Sequence, residues 1–406
     1  MTRHLRAEAR PAGDGSPVEV FLAFLKLGVT SFGGPIAHLG YFRDEFVTRR
    51  RWIDEAGYAD LVALCQFLPG PASSQTGFAL GLLRAGYSGA LAAWTAFTLP
   101  SAIGLVLFAF GAATFEGLVG GGLLHGLKVV AVAVVAQAVW GMARTLCPDR
   151  ERASIAVGAA LIVIFAAGSI GQIAAILLGG LAGLWLCREG QATAVGHLAV
   201  PVSRRVGAVA LALFFALLLL PPLAAAALAS SGLMLFDAFY RAGALVFGGG
   251  HVVLPLLEAS VVRPGWVDAD AFLAGYGAAQ AVPGPLFTFA AYLGAAMTPE
   301  PNGWAGAAVG LIAIFLPGLL LVIGALPFWD AFRTRPAAQA AMRGTNAAVV
   351  GLLGAALYDP VWTSAILNSH DFALALVGFV LLTVWKAPPW AVVLVTAGGG
   401  ALLSLL

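Results

Sequence analysis

Hydrophobic positions in this chain come in long, nearly unbroken runs rather than at helix or strand period. They fall roughly at residues 18–48, 56–84, 87–113, 118–143, 152–168, 170–187, 203–228, 235–262, 269–297, 303–328, 338–358, 371–385 and 388–405, with short polar turns between them. Each is near the roughly 20 residues that carry a helix across the hydrocarbon core of a bilayer. The pattern predicts an all-α integral membrane protein of about thirteen membrane segments. Composition agrees: of 406 residues 60% are hydrophobic and 10% charged, and the mean hydropathy is +0.91. A water-soluble globule needs nothing so apolar.

The runs contain one stretch twice. Phe24-Leu-Lys26-Leu-Gly28 leads to Phe32-Gly33-Gly34-Pro35, an Arg-rich loop to Trp52-Ile-Asp54, and Gln66-Phe-Leu-Pro69-Gly70-Pro71. Phe239-Tyr-Arg241-Ala-Gly243 leads to Phe247-Gly248-Gly249-Gly250, Trp266-Val-Asp268, and Gln280-Ala-Val-Pro283-Gly284-Pro285. Gly86-Tyr-Ser-Gly89 pairs with Gly303-Trp-Ala-Gly306, Leu99-Pro100 with Leu316-Pro317, and Gly126-Leu-Lys128 with Gly344-Thr-Asn346. The predicted organisation is a polar tail over 1–17, a first repeat over 18–200, a linking transmembrane helix over 201–230 and a second repeat over 231–406. A single element between two six-segment copies inverts the second copy.

The tail carries Arg3, Arg6 and Arg10 and runs into the first apolar segment without a cleavage-like site, which reads as cytoplasmic. Arg144, Arg150, Arg152, Arg188, Arg204, Arg205, Arg333, Arg335 and Lys386 fall on the same side by parity, while the loops near Glu116, Glu300 and Asp359–Asp371 hold no Lys or Arg. Arg43, Arg49, Arg50 and Arg51 break the rule if segments 18–48 and 56–84 each cross once. Both are interrupted, by Gly33-Gly34-Pro35 and Pro69-Gly70-Pro71, leaving arms of about 13 residues, roughly 20 Å, too short to cross. Two readings therefore stand, spanning or re-entrant; the re-entrant one returns these arginines to the cytoplasm. The arginines lie in short loops and form no basic face, so no nucleic-acid partner is expected. Cys65, Cys147 and Cys187 have neither disulfide nor metal spacing and read as inert.

Gly and Pro inside hydrocarbon leave backbone groups unpaired, which is tolerated only against protein or a polar cavity. The residues after each break start a new helix with free N–H groups and a positive dipole end. Four such ends, after Pro35, Pro71, Gly250 and Pro285, suit an anion if they converge. Lys26 and Arg241 share a repeat position inside apolar runs, where a charge is functional or snorkels to an interface. Lys128, beside His125, is a third candidate cation. Ser31, Ser73, Ser74, Gln75, Thr76 and Thr288 can donate to an oxyanion. Gln66 and Gln280 can do so or can satisfy the broken backbone. His38 and His251 are candidate proton carriers or plainly hydrogen-bonded residues, and Gly77-x-x-x-Gly81 reads as a packing face.

The ordered set Phe-Gly-Gly-Pro, Arg-rich loop, Trp-Ile-Asp and Gln-Phe-Leu-Pro-Gly-Pro, with its divergent second copy, closely resembles the chromate ion transporter family in its long, two-domain form. The resemblance implies a bacterial inner-membrane protein that exports chromate, against protons or without them. It places the family's motif on Phe32, Gly33, Gly34, Pro35, Pro69, Gly70 and Pro71 and on Phe247–Gly249 and Pro283–Pro285. Gly250 and His251 stand where the first copy has Pro35, so unequal halves are expected. No nucleotide loop, zinc-ligand pattern or nucleophile elbow is present, so a secondary carrier that needs no cofactor is expected. Chromate, with isosteric sulfate as the alternative anion, and the lipid bilayer are the expected partners, and a homodimer is compatible. An intramembrane chromate reductase is disfavoured by scattered cysteines and the lack of a haem, flavin or metal signature.

Overall fold

In the computed structural model, residues 15–112, 118–166, 168–188, 202–228, 230–332 and 335–405 are described. Tail residues 1–14, the loop around Glu116, the boundary near residue 200 and Arg333 lie outside the described residues. All regular structure in the described residues is helical. The first part comprises α1 (Pro17–Thr30), α2 (Gly34–Phe42) with a π-turn (Arg43–Arg49), α3 (Glu55–Phe67), α4 (Ala72–Ala112), α5 (Leu118–Leu146), α6 (Arg150–Phe165) and α7 (Ser169–Leu186). Then come α8 (Arg204–Leu228), α9 (Ser231–Ala244), α10 (Val253–Leu257) with a π-turn (Glu258–Val262), α11 (Ala269–Ala279) and α12 (Phe289–Ala296). The chain closes with α13 (Gly303–Ala325), the short α14 (Trp329–Phe332), α15 (Pro336–Ala356), the single turn α16 (Thr363–Ala365), α17 (Ser369–Thr383) and α18 (Pro389–Leu403).

Among the described residues six helices are long and apolar enough to cross a membrane, beginning at Ala72, Gly120, Ser169, Arg204, Gly303 and Pro336, and shorter apolar helices accompany them. Their outward faces carry large apolar side chains such as Phe165, Ile170, Trp185 and Leu223 in the open. Only lipid covers such a surface, and the protein is a multi-pass membrane protein.

The interrupted segments turn back. Phe24 on α1 stacks on Phe46 at 4.7 Å and meets Phe42 edge-on at 5.4 Å, while His38 Nε2 lies 3.2 Å from the Ser31 carbonyl, so α2 and its π-turn run antiparallel to α1. α4 bends at Ala85–Gly86, and its first arm returns to the face where α1 begins: Gly15 N–H donates to the Arg84 carbonyl (3.2 Å) and Arg84 pairs with Glu19 (3.2 Å). Trp52 joins them beneath the Arg84 guanidinium. Segments 18–48 and 56–84 are thus two hairpins that start and finish on one face.

The motif Trp-x-Asp finds its local reason here. Asp54 caps α3 by accepting from Gly57 N–H (2.8 Å), and Asp268 caps α11 by accepting from Asp270 and Ala271 N–H (2.9 and 3.2 Å). Each inward arm starts on a carboxylate, and each tryptophan holds the corner: Trp52 stacks on Phe46, and the Trp266 carbonyl accepts from Thr298 N–H. Gly81 packs on the Gly89 carbonyl as Gly294 packs on Gly306, so returning arm and crossing helix approach closely at the same repeat position. Gly77 of the predicted packing face meets the Phe24 ring.

The two halves exchange helices. α5 packs on α17 and α18, and α15 packs on α6 and α7. Gly122 and Gly126 lie against Gly400 and Thr396, while Gly344 lies against Gly179 and Gly183. Glycine in these rows lets backbones touch where leucine would hold them apart. α8 lies against α9 and α13.

Candidate functional site: four helix breaks meet

Each break is satisfied by the other half. Gly70, centre of the first Pro-Gly-Pro, donates its N–H to the carbonyl of Val246 (2.7 Å), the residue before Phe247-Gly-Gly. Gly284, centre of the second, donates to the carbonyl of Ser31 (2.9 Å), the residue before Phe32-Gly-Gly. Pro35 packs against Gly250, which also faces Leu286. All four interruptions therefore meet, and the two hydrogen bonds repeat one another. Only a residue with φ near +100° fits the centre of these turns: Gly70 has φ +123° and Gly284 +95°.

The seats are the proline-bearing helices of the opposite half. A Cβ on Gly284 would lie 3.1 Å from the Phe97 carbonyl and 2.9 Å from Ser101 Oγ, beside Pro100; one on Gly70 would lie 3.1 Å from Gly318 Cα, beside Pro317. Gln75 Nε2 ties the first break down, donating to the carbonyls of Pro69 (2.9 Å) and Gly318 (3.1 Å). Gln75, not Gln66, satisfies that backbone; Gln66 is exposed.

Several buried donors here have no partner: Ser31 Oγ, Ser74 Oγ, Thr98 Oγ1 and Gln280 Nε2; Gln75 Oε1, also unpaired, is an acceptor and offers nothing to an anion. An unpaired buried donor costs about 1–3 kcal/mol, which an anion accepting from it removes. α2 starts at Gly34 with no side-chain cap, and Gly33 is exposed although its neighbour Ser31 is buried. Open N–H groups at a helix start, hydroxyls and amides, with no carboxylate among them, form a lining suited to an oxyanion.

The remaining candidates lie as follows. Ser73 Oγ faces His38 Nδ1 (3.3 Å), and Thr288 donates to the Pro285 carbonyl (2.8 Å) within its own turn. His251 Nδ1 lies 2.7 Å from the Tyr276 hydroxyl. Phe32 approaches Trp390 (6.5 Å), Gly248 and Gly249 lie beside Met142, and Phe247 and Pro283 are half-buried. Pro71 and Pro285 are buried at the start of the outgoing arms.

The cations are each matched by a carboxylate that sequence reasoning did not single out. Lys26 Nζ meets Glu45 (3.3 Å), which also holds Arg49 (3.1 Å) and Arg50 (2.7 Å). Arg241 pairs with Asp237 (2.8 Å) and lines a crevice of about 480 Å³ with Gln172, Pro222, Ser260 and Trp266 that reaches Leu245, the residue before Val246. Lys128 pairs with Asp270 (2.8 Å). The Arg241–Asp237 pair has i,i+4 spacing and is detectable in a helical register. Glu45 has the same spacing to Arg49, but its contact with Lys26, 19 residues away, and that of Asp270 with Lys128, 142 residues away, give no local signal.

A helical protein crossing the membrane many times, with two matched sets of helix breaks joined at its centre, has the build of a polytopic carrier. The chromate transporter family profile matches residues 18–184 and again 233–402, and the chain belongs to this family. It is 28% identical over 389 residues to a probable chromate transport protein of Synechococcus elongatus, covering 89% of this chain and 88% of that one. It is 28% identical over 395 residues to a chromate transport protein of Pseudomonas aeruginosa (94% and 90% covered) and 25% identical over 376 residues to one of Cupriavidus metallidurans (91% and 88%). No solved structure is significantly similar to the chain.

Proposed function

We propose that the protein exports chromate across the bacterial inner membrane, with the dianion held where the four breaks meet. The observation that carries this reading is the crosswise pair Gly70–Val246 and Gly284–Ser31, which brings helix starts and unpaired donors from both halves together. The contacting groups are the Gly33–Pro35 and Gly248–Gly250 turns with Ser31, Ser74, Thr98 and Gln280. Lys26 and Arg241, on the hairpin arms leading into the breaks, supply positive field. Two negative charges moving outward across an inside-negative potential gain about 4.6 kcal/mol per 100 mV. Export therefore runs on the potential alone, and proton antiport steepens it.

The hairpin geometry supports a cytoplasmic N-terminus, because Arg43, Arg49, Arg50 and Arg51 then share the face of α1's start and obey the positive-inside rule. Alternating access draws support from a difference between the halves. α11 packs on α5 under the Lys128–Asp270 pair, whereas the corresponding α3 packs on α4 and its π-turn instead of on α15. The two faces are bridged differently: α11 reaches α5 on one, while on the other α3 meets the second half through Trp329, whose indole donates to Asp60 (3.1 Å) and packs on Phe67 (5.5 Å).

Uptake of radiolabelled chromate into inside-out vesicles, with an imposed inside-positive potential and no ATP, tests this. Uptake that rises with potential is expected. Absence of uptake under both a potential and a pH gradient overturns the proposal, and collapse under excess sulfate makes sulfate a second substrate of the same site.

A further inference from the structure

We infer that His125 and Asp371 form the proton-binding site of the transport cycle, on the proposed outer side. This rests on the transport reading above. His125 Nε2 lies 2.8 Å from Asp371 Oδ1, and Asp371 Oδ2 accepts the Leu367 N–H at 3.0 Å. The Asp371 side chain is only 4% exposed, although it stands in the first turn of α17 near a polar loop. An ionisable group kept buried in a membrane protein calls for a function, and this one joins α5 of the first half to α17 of the second.

Two cavities share His125 and Gly121. One, about 790 Å³, opens among Asn368, His370, Asp371 and Ser404. The other, about 500 Å³, holds Lys128, Asp270 and Tyr292. His125 thus stands between an entrance with exposed polar groups and a chamber whose Lys128–Asp270 pair holds the first turn of α11. That helix ends at Gln280, at the break. A charge change on His125 is felt one turn away at Lys128, since positions i and i+3 share a helix face.

The proton count is simple. A 2.8 Å contact between an imidazole and a carboxylate is a hydrogen bond only with a proton on Nε2 or on the acid, so in this geometry the pair holds one. A second proton enters at Nδ1 and turns a pair of net charge −1 into a neutral imidazolium–carboxylate; no other bond is made or broken. Nδ1 has no hydrogen-bond partner among the described residues. The charged and titratable groups that line the two cavities with this pair are Lys128 on α5, Asp270 on α11 and His370 on α17. α18 contributes only Ser404 at its end, and the Arg343 of α15 is engaged elsewhere with the Cys187 carbonyl. One proton therefore changes the sign balance of a small cluster bridging the two halves.

The test uses the full chain in liposomes with a trapped pH dye, comparing wild type with H125Q and D371N. Protons moved per chromate should fall at least tenfold in both variants, while chromate-for-chromate exchange, which needs no net proton, persists. A wild-type proton ratio in both variants, or wild-type transport without proton movement, overturns the site while leaving transport intact. Loss of exchange together with proton movement in both variants also overturns it, by making the pair part of the chromate path or of the fold. Wild-type protein that moves no chromate at all overturns the transport reading itself.

Discussion

The two halves carry the same breaks but do not close around them alike. In the first, Glu45 in the first part of the π-turn gathers Lys26, Arg49 and Arg50; in the second, Glu258 at the head of its π-turn meets, among the described residues, one cation, Arg263, at 3.4 Å. Lys128 of α5 reaches Asp270 on α11, whereas its repeat partner Asn346 on α15 leaves Oδ1 without a partner beside Gly248. Backbone chemistry at the centre is symmetric, and side-chain chemistry at the two faces is not. The difference teaches that the interruptions are a requirement shared by both halves, while the charges around them are particular to each.

The largest effect should come from the shared part. Gly70→Val and Gly284→Val force a β-branched residue to positive φ and push a side chain into Gly318 or Ser101, costing about 3 kcal/mol or more. Both should abolish chromate uptake and lower the melting temperature equally; a tolerant Gly284→Val would show that only one crossing matters. Next come the cations. Lys26→Gln and Arg241→Gln should each cut chromate uptake tenfold or more with protein still in the membrane, and normal flux in both sinks their role in the field. Arg241→Gln should be the less stable of the two in a thermal melt, because it leaves Asp237 alone while Glu45 keeps two arginines.

A smaller change is expected from Lys128→Gln. Its partner Asp270 is 66% exposed, so the pair contributes about 1 kcal/mol at most. A cysteine placed at Ala274, in the chamber beneath it, should label about fivefold faster in this variant; an unchanged rate shows that the ion pair does not limit access to the chamber.

The smallest lies outside both halves' centres. Asp149 caps α6 by accepting from Arg152 N–H (2.9 Å), and the Arg152 guanidinium hydrogen-bonded to it holds its carboxyl below the usual range. A depressed carboxyl stabilises the fold above its unfolded value and loses that contribution as pH falls through its folded value. Asp149→Ala should cost about 1 kcal/mol at neutral pH, with the gap to wild type closing in acid melts.

The membrane class, the repeat and the breaks were legible in the residues alone, and Trp-x-Asp was legible as a repeated motif whose capping role the structure supplied. Each is a matter of local chemistry: apolar run length, proline's missing N–H, glycine's free φ and a carboxylate ahead of a helix. The family resemblance rested on those same residues. Spacing left spanning and re-entrant readings open; the antiparallel packing of Phe24 on Phe42 and Phe46 decided for hairpins. Which break joins which, Gly70 to Val246 and Gly284 to Ser31, was decided only by tertiary structure, as were the partners of Lys128 and His125, 142 and 246 residues away. An apolar run says that a helix will be buried or face lipid. It does not say which neighbour covers it, because exchanged glycine-rich faces fit one another through shape, and shape at that range is not written in any local window.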